Sequence, residues 1–391
     1  MNRPSEAGIE MIRRLVSFDT TSRESNLPLI QWVQDYLGRW NIPFRLTYDD
    51  DRRKANLFAT LGPSDRPGVI LSGHTDVVPV DGQPWDTDPW ALTEREGKLF
   101  GRGTCDMKSF VALALASVPM FMERGLTKPI HLAFSYDEEV GCWGVRRLID
   151  DLTREGLKPE FCIVGEPTDM KVVVSHKGKT SHACRVRGLE AHSSLAHRGV
   201  NAVEYAAEVI AFLKGMARRF RDNGPFDRDY DPPYTTVHVG TVHGGTALNI
   251  VPLDCEFVFE FRYLPGHDPA AMLAEVKRYA EEKLLPEMRA VAPDVGFTWR
   301  DMSTIPGLDT EEAAEVTGFV KSLSGANRVE KVPYGTEAGL FQQAGIPTII
   351  CGPGSIDQAH RPNEFVTLEQ IALAESFMAR LADRVCLRPA A

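Results

Sequence analysis

Several apolar runs in this chain stop at a histidine or an acid. Val69-Ile70-Leu71 leads through Ser72-Gly73 to His74-Thr75-Asp76, and the run 130–134 leads into Asp137-Glu138-Glu139. Residues 161–164 are followed by Gly165-Glu166, and 348–351 lead through Gly352 and Gly354 to His360. A fifth candidate, Asp106, closes the stretch Gly101-Arg102-Gly103-Thr104-Cys105. Imidazole nitrogen and carboxylate oxygen together suit Zn²⁺, Mn²⁺ or Co²⁺, and the excess of carboxylates allows one acid to bridge two ions. His74-x-Asp76 adds a further feature, because an acid two residues along a strand can orient an imidazole from behind. Each fragment alone has a plain structural reading. A strand-end histidine is commonly a surface residue, and a Glu-Glu pair is commonly a solvated turn. Gly101–Asp106 is a poor dinucleotide fingerprint, since Asp106 stands at the third glycine position. It is the conjunction that points to a metal site, at the strand ends where open parallel sheets bind ligands.

Such donors need a scaffold. Strand patterns at 56–61, 68–72, 129–135, 161–164 and 171–175 alternate with helical patterns at 27–40, 109–124 and 145–152. The same alternation returns as a helix at 337–344, a strand at 348–351 and a helix at 368–385. Continuous apolar strands separated by helices predict an α/β fold with a mostly parallel central sheet. The middle reads differently: strand 181–187, helix 201–220, strands 235–242 and 255–263, helix 269–282 and strand 296–301. That β-α-β-β-α-β order is the ferredoxin-like unit. The expected organisation is a catalytic domain at 1–176, an inserted α+β domain at 177–303, and the second part of the catalytic domain at 304–391.

The bulk properties agree. A chain of 391 residues suits two or three domains at about 150 residues each. Lys+Arg 44 against Asp+Glu 54 gives a net charge of −10, which disfavours nucleic acid or an anionic membrane as partner. At 43% hydrophobic and 25% charged, the composition is that of an ordinary globular protein. The first 18 residues carry charges and lack the apolar segment of a secretory signal, and the apolar run 110–122 is too short to span a bilayer. The seven cysteines are spread singly with no CxxC, as in a reducing compartment, so a cytoplasmic location is expected.

The set GHTDVVP (73–79), GRGTCDMKS (101–109), DEEVGCWG (137–144), GEPT (165–168) and GPGSIDQAHRPNEF (352–365) resembles the dinuclear-zinc amidohydrolase and exopeptidase family. Its members include deacetylases, desuccinylases, aminoacylases and carboxypeptidases, and the similarity runs in order along nearly the whole chain. DPPYTTVHVGTVHGGTALNIVP (231–252), FRYLPG (261–266) and GTEA (335–338) are most similar to the branch that acts on acetylornithine. The desuccinylases tend to carry GTSDGR where this chain has GTEAGL.

The resemblance implies two Zn²⁺ ions, replaceable by Co²⁺ or Mn²⁺: one held by His74 and Glu166, the other by Glu139 and His360, with Asp106 bridging. It implies Asp76 as the orienter of His74, Glu138 as general base toward a water between the ions, and a cis peptide after Asp106. In the inserted domain it implies a homodimer contact, with His192 as oxyanion donor reaching a partner's site. Asn249, Arg262, Gly335 and Thr336 are implied to bind substrate, Arg262 through the α-carboxylate. For His192 a surface position, and for Arg262 an exposed strand arginine, are equally compatible with the residues themselves. Glu337 reads either as a partner for a substrate ammonium or as a first-turn acid at a helix N-terminus.

The implied activity is hydrolysis of the acetyl amide of N²-acetyl-L-ornithine, a step of arginine biosynthesis. Deacylation of another N-acyl amino acid, desuccinylation and dipeptide hydrolysis remain open, with a non-catalytic binding protein as the remote alternative.

Overall fold

The computed structural model describes residues 3–387 and divides into two compact units. The first comprises Met1–Ser175, Leu308–Lys331 and Thr336–Ala391; the second comprises His176–Gly307 and Val332–Gly335.

The first unit is built on a mixed sheet of β1 (Phe44–Tyr48), β2 (Ala55–Leu61), β3 (Val69–His74), β4 (Ile130–Ser135), β5 (Phe161–Val164), β6 (Val172–His176), β11 (Leu308–Asp309) and β12 (Thr348–Ile350). The strand order is β1-β2-β4-β3-β5-β12-β6-β11, with Val329–Val332 also paired to β6. The four middle strands β4, β3, β5 and β12 are parallel. Every one of their residues is buried, which is why they read as largely apolar runs. β1 and β2 join this block antiparallel. The half-exposed β1 is absent from the expected strands, although Phe-Arg-Leu-Thr-Tyr alternates apolar and polar residues as a one-sided strand does.

The helices α1 (Glu6–Val16), α2 (Leu27–Gly38), α3 (Lys108–Ala116), α4 (Val118–Arg124), α5 (Trp143–Arg154), α8 (Ala338–Gln343) and α9 (Leu368–Val385) flank this sheet. The segment 109–124, expected as one helix, is broken at Ser117. Pro119 brings no N–H and crowds the preceding turn, so it opens a new helix instead of continuing the old one. α3 is buried along nearly its whole length. Its Phe110 packs so closely on Gly165 that a Cβ there would stand 1.9 Å from the ring. Glycine is therefore required immediately before Glu166, where helix and strand end meet.

The second unit contains β7 (Gly178–Arg187), β8 (Thr236–Gly244), β9 (Asp254–Tyr263) and β10 (Gly296–Ile305), in the order β8-β9-β7-β10 and antiparallel throughout. The long helix α6 (Ala202–Asn223) is capped by Asn201, whose Oδ1 accepts from the Val203 and Glu204 amides at 3.0 and 3.2 Å. α6 and α7 (Pro269–Tyr279) bury one face of the sheet. Along β9, Cys255, Phe257, Phe259, Phe261 and Tyr263 enter that core, while Glu256, Glu260 and Arg262 alternate onto the other face. β10 continues to Ile305, beyond the 301 and 303 limits expected for this strand and domain. A register shift between Asp301 and Ser303 carries its pairing onward along β7.

Among the described residues no helix is long and apolar enough to cross a membrane. The seven cysteines are free thiols.

Candidate metal centre

The parallel block of the first unit ends on one edge, and its chemistry collects there. His74 is the last residue of β3 and lies opposite Ser135, the last residue of β4, so Asp137, Glu138 and Glu139 follow on the same edge. Glu166 stands two residues beyond β5. Asp106 precedes α3, and the Asp106–Met107 peptide is cis. The loop after β12 delivers His360.

Asp106 is the hub. Its Oδ1 lies 2.9 Å from His74 Nε2 and its Oδ2 lies 3.2 Å from His360 Nε2. His360 Nε2 also meets Glu139 Oε2 at 2.9 Å, and His74 Nε2 lies 3.7 Å from Glu166 Oε1. Ligand atoms of His74, Asp106 and Glu139 fall within 4.8 Å of one another, as do those of His74, Glu138 and Glu166. The strand-end pattern therefore brings its two histidines and its acids to a single locus.

The donor set fits divalent cations. Two imidazoles and several carboxylates converging on one locus are the donor types that such ions take. Asp76, Asp106 and Glu166 are buried, Glu138 and Glu139 stand partly buried beside them, and His74 and His360 are the histidines that meet these acids. Glu139 Oε1 is buried with no hydrogen-bond partner, a position costly for a carboxylate unless a cation faces it. Burial and the neighbouring Asp106 push Glu139 up to about 7. Burial raises Glu138 and Glu166 well above the usual carboxylate range. Hydrogen bonds to Asp106 and Glu139 push His360 up to about 10. For Asp106 burial acts upward, but bonds from His360 and His74 outweigh it and hold the carboxyl below its ordinary range.

Asp76 does more than face His74. His74 Nδ1 is 2.9 Å from the Asp76 backbone carbonyl and 3.6 Å from its carboxylate. The carboxylate itself accepts from Ser22 Oγ at 2.7 Å and from the Glu138 and Glu139 amides at 3.0 and 3.3 Å. It clamps the turn that carries both glutamates. Asp137, in the left-handed region at φ 55°, is held in this turn by Lys54 Nζ at 2.5 Å. Ser22 and Lys54 gave no sequence signal, since each lies far along the chain in an unremarkable context.

Glu337 is 1% exposed and accepts from the Ser135 hydroxyl, while Ser72 Oγ lies 3.5 Å away. Burial pushes it up to about 7. Thr336, also buried, accepts from the Ala338 amide at 3.1 Å and so supports the first turn of α8. Glu337 is the residue that precedes α8, and its carboxyl turns to Ser135 and makes no bond to the helix amides.

The remaining candidates belong to the second unit. His192 and Asn249 are neighbours there: His192 bridges Ile250, and the Ser193 amide donates to the Asn249 carbonyl at 3.0 Å. The exposed His192 has its Nδ1 beside Ser194, whose amide donates to it at 3.2 Å and whose Oγ lies 2.8 Å away, which leaves Nε2 free of these contacts. Arg262 is half-buried on β9, with Nε donating to Glu260 Oε1 at 2.9 Å. Gly335 is the last residue of the segment Val332–Gly335.

Comparison with known proteins follows the same line. The model of peptidase family M20/M25/M40 matches residues 70–384. The acetylornithine deacetylase of Pasteurella multocida is 34% identical over 373 residues, covering 95% of this chain and 94% of that one. An M20 family metallo-carboxypeptidase from Sulfolobus solfataricus superposes with a TM-score of 0.76 at 16% identity, over 97% of this chain and 99% of the other. The YxeP protein of Bacillus subtilis, a dinuclear metal binding peptidase, gives a TM-score of 0.64 at 15% identity, with 96% of each chain covered.

Proposed function

The chain belongs to peptidase family M20/M25/M40, a family of metal-dependent hydrolases, and from that membership we propose that it removes the acetyl group of N²-acetyl-L-ornithine, giving acetate and L-ornithine. The observation that carries the chemistry is the Asp106 carboxylate, whose two oxygens face His74 and His360 separately. The choice of substrate is supported by relatives named acetylornithine deacetylase at about one-third identity over nearly the full chain.

In this reading His74, Glu166 and Asp106 hold one ion, and Glu139, His360 and Asp106 hold the second. Zinc is the proposed metal, with Co²⁺ or Mn²⁺ able to substitute. When bound, the ions polarise the amide carbonyl and acidify water. Glu138 takes the proton from the attacking water and passes it to the departing amine nitrogen. Burial among other acids suits it to this exchange, because it lifts proton affinity while nearby cations lower it. Asp76 keeps Glu138 in place through the backbone amide. His192 Nε2–H is the proposed donor to the developing oxyanion. Arg262 grips the α-carboxylate, and Asn249, Gly335 and Thr336 complete the substrate contacts. The inserted unit is proposed as lid and homodimer contact, and its exposed edge strand β8 offers unpaired backbone for that purpose. The free thiols support a cytoplasmic setting.

The test is amine release by zinc-loaded protein from N-acetyl-ornithine, N-acetyl-methionine, N-succinyl-diaminopimelate and a dipeptide. The expected result is a preference in kcat/KM of about tenfold or more for N-acetyl-ornithine, about 1.4 kcal/mol, abolished by a chelator. A preference for another substrate replaces the acetylornithine reading and leaves the hydrolase. No turnover with both ions bound favours a binding protein.

A further inference from the structure

Glu364 has no place in the reaction above, yet it is among the most engaged side chains of the first unit. It is 1% exposed. Its Oε1 accepts from the Cys105 and Asp106 amides at 2.8 and 3.0 Å, and its Oε2 accepts from the Gly103 amide at 3.0 Å. Oε2 also meets Arg102 Nη1 at 2.7 Å, within an ion pair whose two side chains are each 1% exposed. One carboxylate from residue 364 thus gathers the N–H groups of Gly103, Cys105 and Asp106, in the loop that presents Asp106.

The pair extends to the opposite side of the centre. Arg102 Nη2 donates to Gln83 Oε1 at 2.6 Å, and Nη1 reaches the Arg361 carbonyl at 3.3 Å. The Trp85 indole N–H donates to the same Gln83 oxygen at 3.1 Å, which fixes the orientation of that amide. Gln83 Nε2 is thereby left to donate to the His360 carbonyl at 3.2 Å. His360 itself stands in the left-handed region at φ 61° with a half-exposed side chain, so neither a strand nor close packing holds it. The buried Arg102–Glu364 pair is an expensive device if its role is stability alone. Two desolvated charges of this kind often contribute no more than apolar residues of similar size would.

We propose that Glu364, acting with Arg102 and Gln83, is a positioning residue that sets the spacing between Asp106 and His360 and so the affinity of the second metal position. This rests on the two-ion reading of the centre. The network touches neither substrate nor reacting atoms; it fixes the backbones of two residues that would bind one ion together. Outer partners of this type change metal affinity by about 10–100-fold when removed.

The experiment is a calorimetric zinc titration of wild-type protein, E364Q and Q83A, with visible absorption of the cobalt-loaded forms and circular dichroism alongside. In E364Q the carboxamide keeps one acceptor oxygen and turns an NH₂ toward backbone donors. Wild-type protein is expected to take two equivalents. E364Q should bind at least one of them about tenfold or more weakly, with an altered cobalt spectrum and native circular dichroism. Q83A, at a half-exposed position tolerant of truncation, should weaken one ion by about threefold to tenfold and leave the other unchanged. Should E364Q not fold, Q83A decides. Wild-type affinities and an unchanged cobalt spectrum in every folded variant would overturn the positioning role while leaving the dinuclear centre intact. A wild-type protein that takes fewer than two ions would overturn the two-ion reading itself.

Discussion

His74 and His360 address the same carboxylate from opposite sides, but the chain holds them by different means. His74 ends a buried parallel strand, is 1% exposed, and has its Nδ1 fixed by the Asp76 carbonyl. His360 sits on a loop at positive φ, is 53% exposed, and is tied back through its carbonyl to Gln83. A strand-held ligand inherits its position from the hydrogen-bond ladder of the sheet. A loop-held ligand has only the contacts that the loop can recruit. On the proposed two-ion reading the two halves should therefore differ in rigidity, and the half built on His360 should release its ion first.

The sharpest test lies at Glu138, the proposed general base. Glu138→Gln should lower kcat by about 10²–10⁴-fold while two ions remain bound, because the amide cannot accept the proton of water. Metal analysis beside steady-state kinetics checks this, and substantial turnover in the doubly loaded variant would remove Glu138 from the base role. The asymmetry itself is probed by graded chelation. Wild-type protein should lose one equivalent before the other, and His360→Ala should retain a single tight ion, whereas His74→Ala should impair the better-organised half. Simultaneous loss of both ions from the wild type would break the contrast.

The smallest effect concerns the floor beneath the rigid half. Glu337, bonded to Ser135 opposite His74, titrates near 7 in the folded chain against an ordinary value of 4.5. A carboxyl raised in this way contributes stability below pH 4.5 that is lost as pH rises through about 7, since the folded state then holds a proton that the unfolded chain has given up. In metal-free protein, Glu337→Gln should therefore gain Tm relative to wild type, by a few degrees, between pH 5 and pH 8. Parallel Tm profiles for the two proteins would show that Glu337 ionises without penalty.

Much of the centre was legible because strands buried on both faces leave a conspicuous trace. An apolar run that ends in His74, or that leads into Glu138-Glu139 or Gly165-Glu166, announces polar groups at the rim of a sheet. The inserted unit was legible for a related reason, since one-sided burial makes β9 alternate. The break at Ser117 was also written in the chain, as Pro119, but the apolar run around it masked the signal. The edge strand β1 left only the short alternation Phe-Arg-Leu-Thr-Tyr, which a reading built on continuous apolar runs passes over.

The sequence by itself thus determined which residue types stand at the strand ends and the α/β class that delivers them, because burial and periodicity are local properties of the chain. Only the tertiary structure decided their partners. Asp76 spends its carboxylate on Ser22 and the Glu138-Glu139 turn, Lys54 holds Asp137, and Glu364 reaches back more than 250 residues to cradle the Asp106 loop. These are hydrogen bonds between distant segments whose polar side chains carry no periodic signature. They exist only once the sheet has brought those segments within about 3 Å of each other.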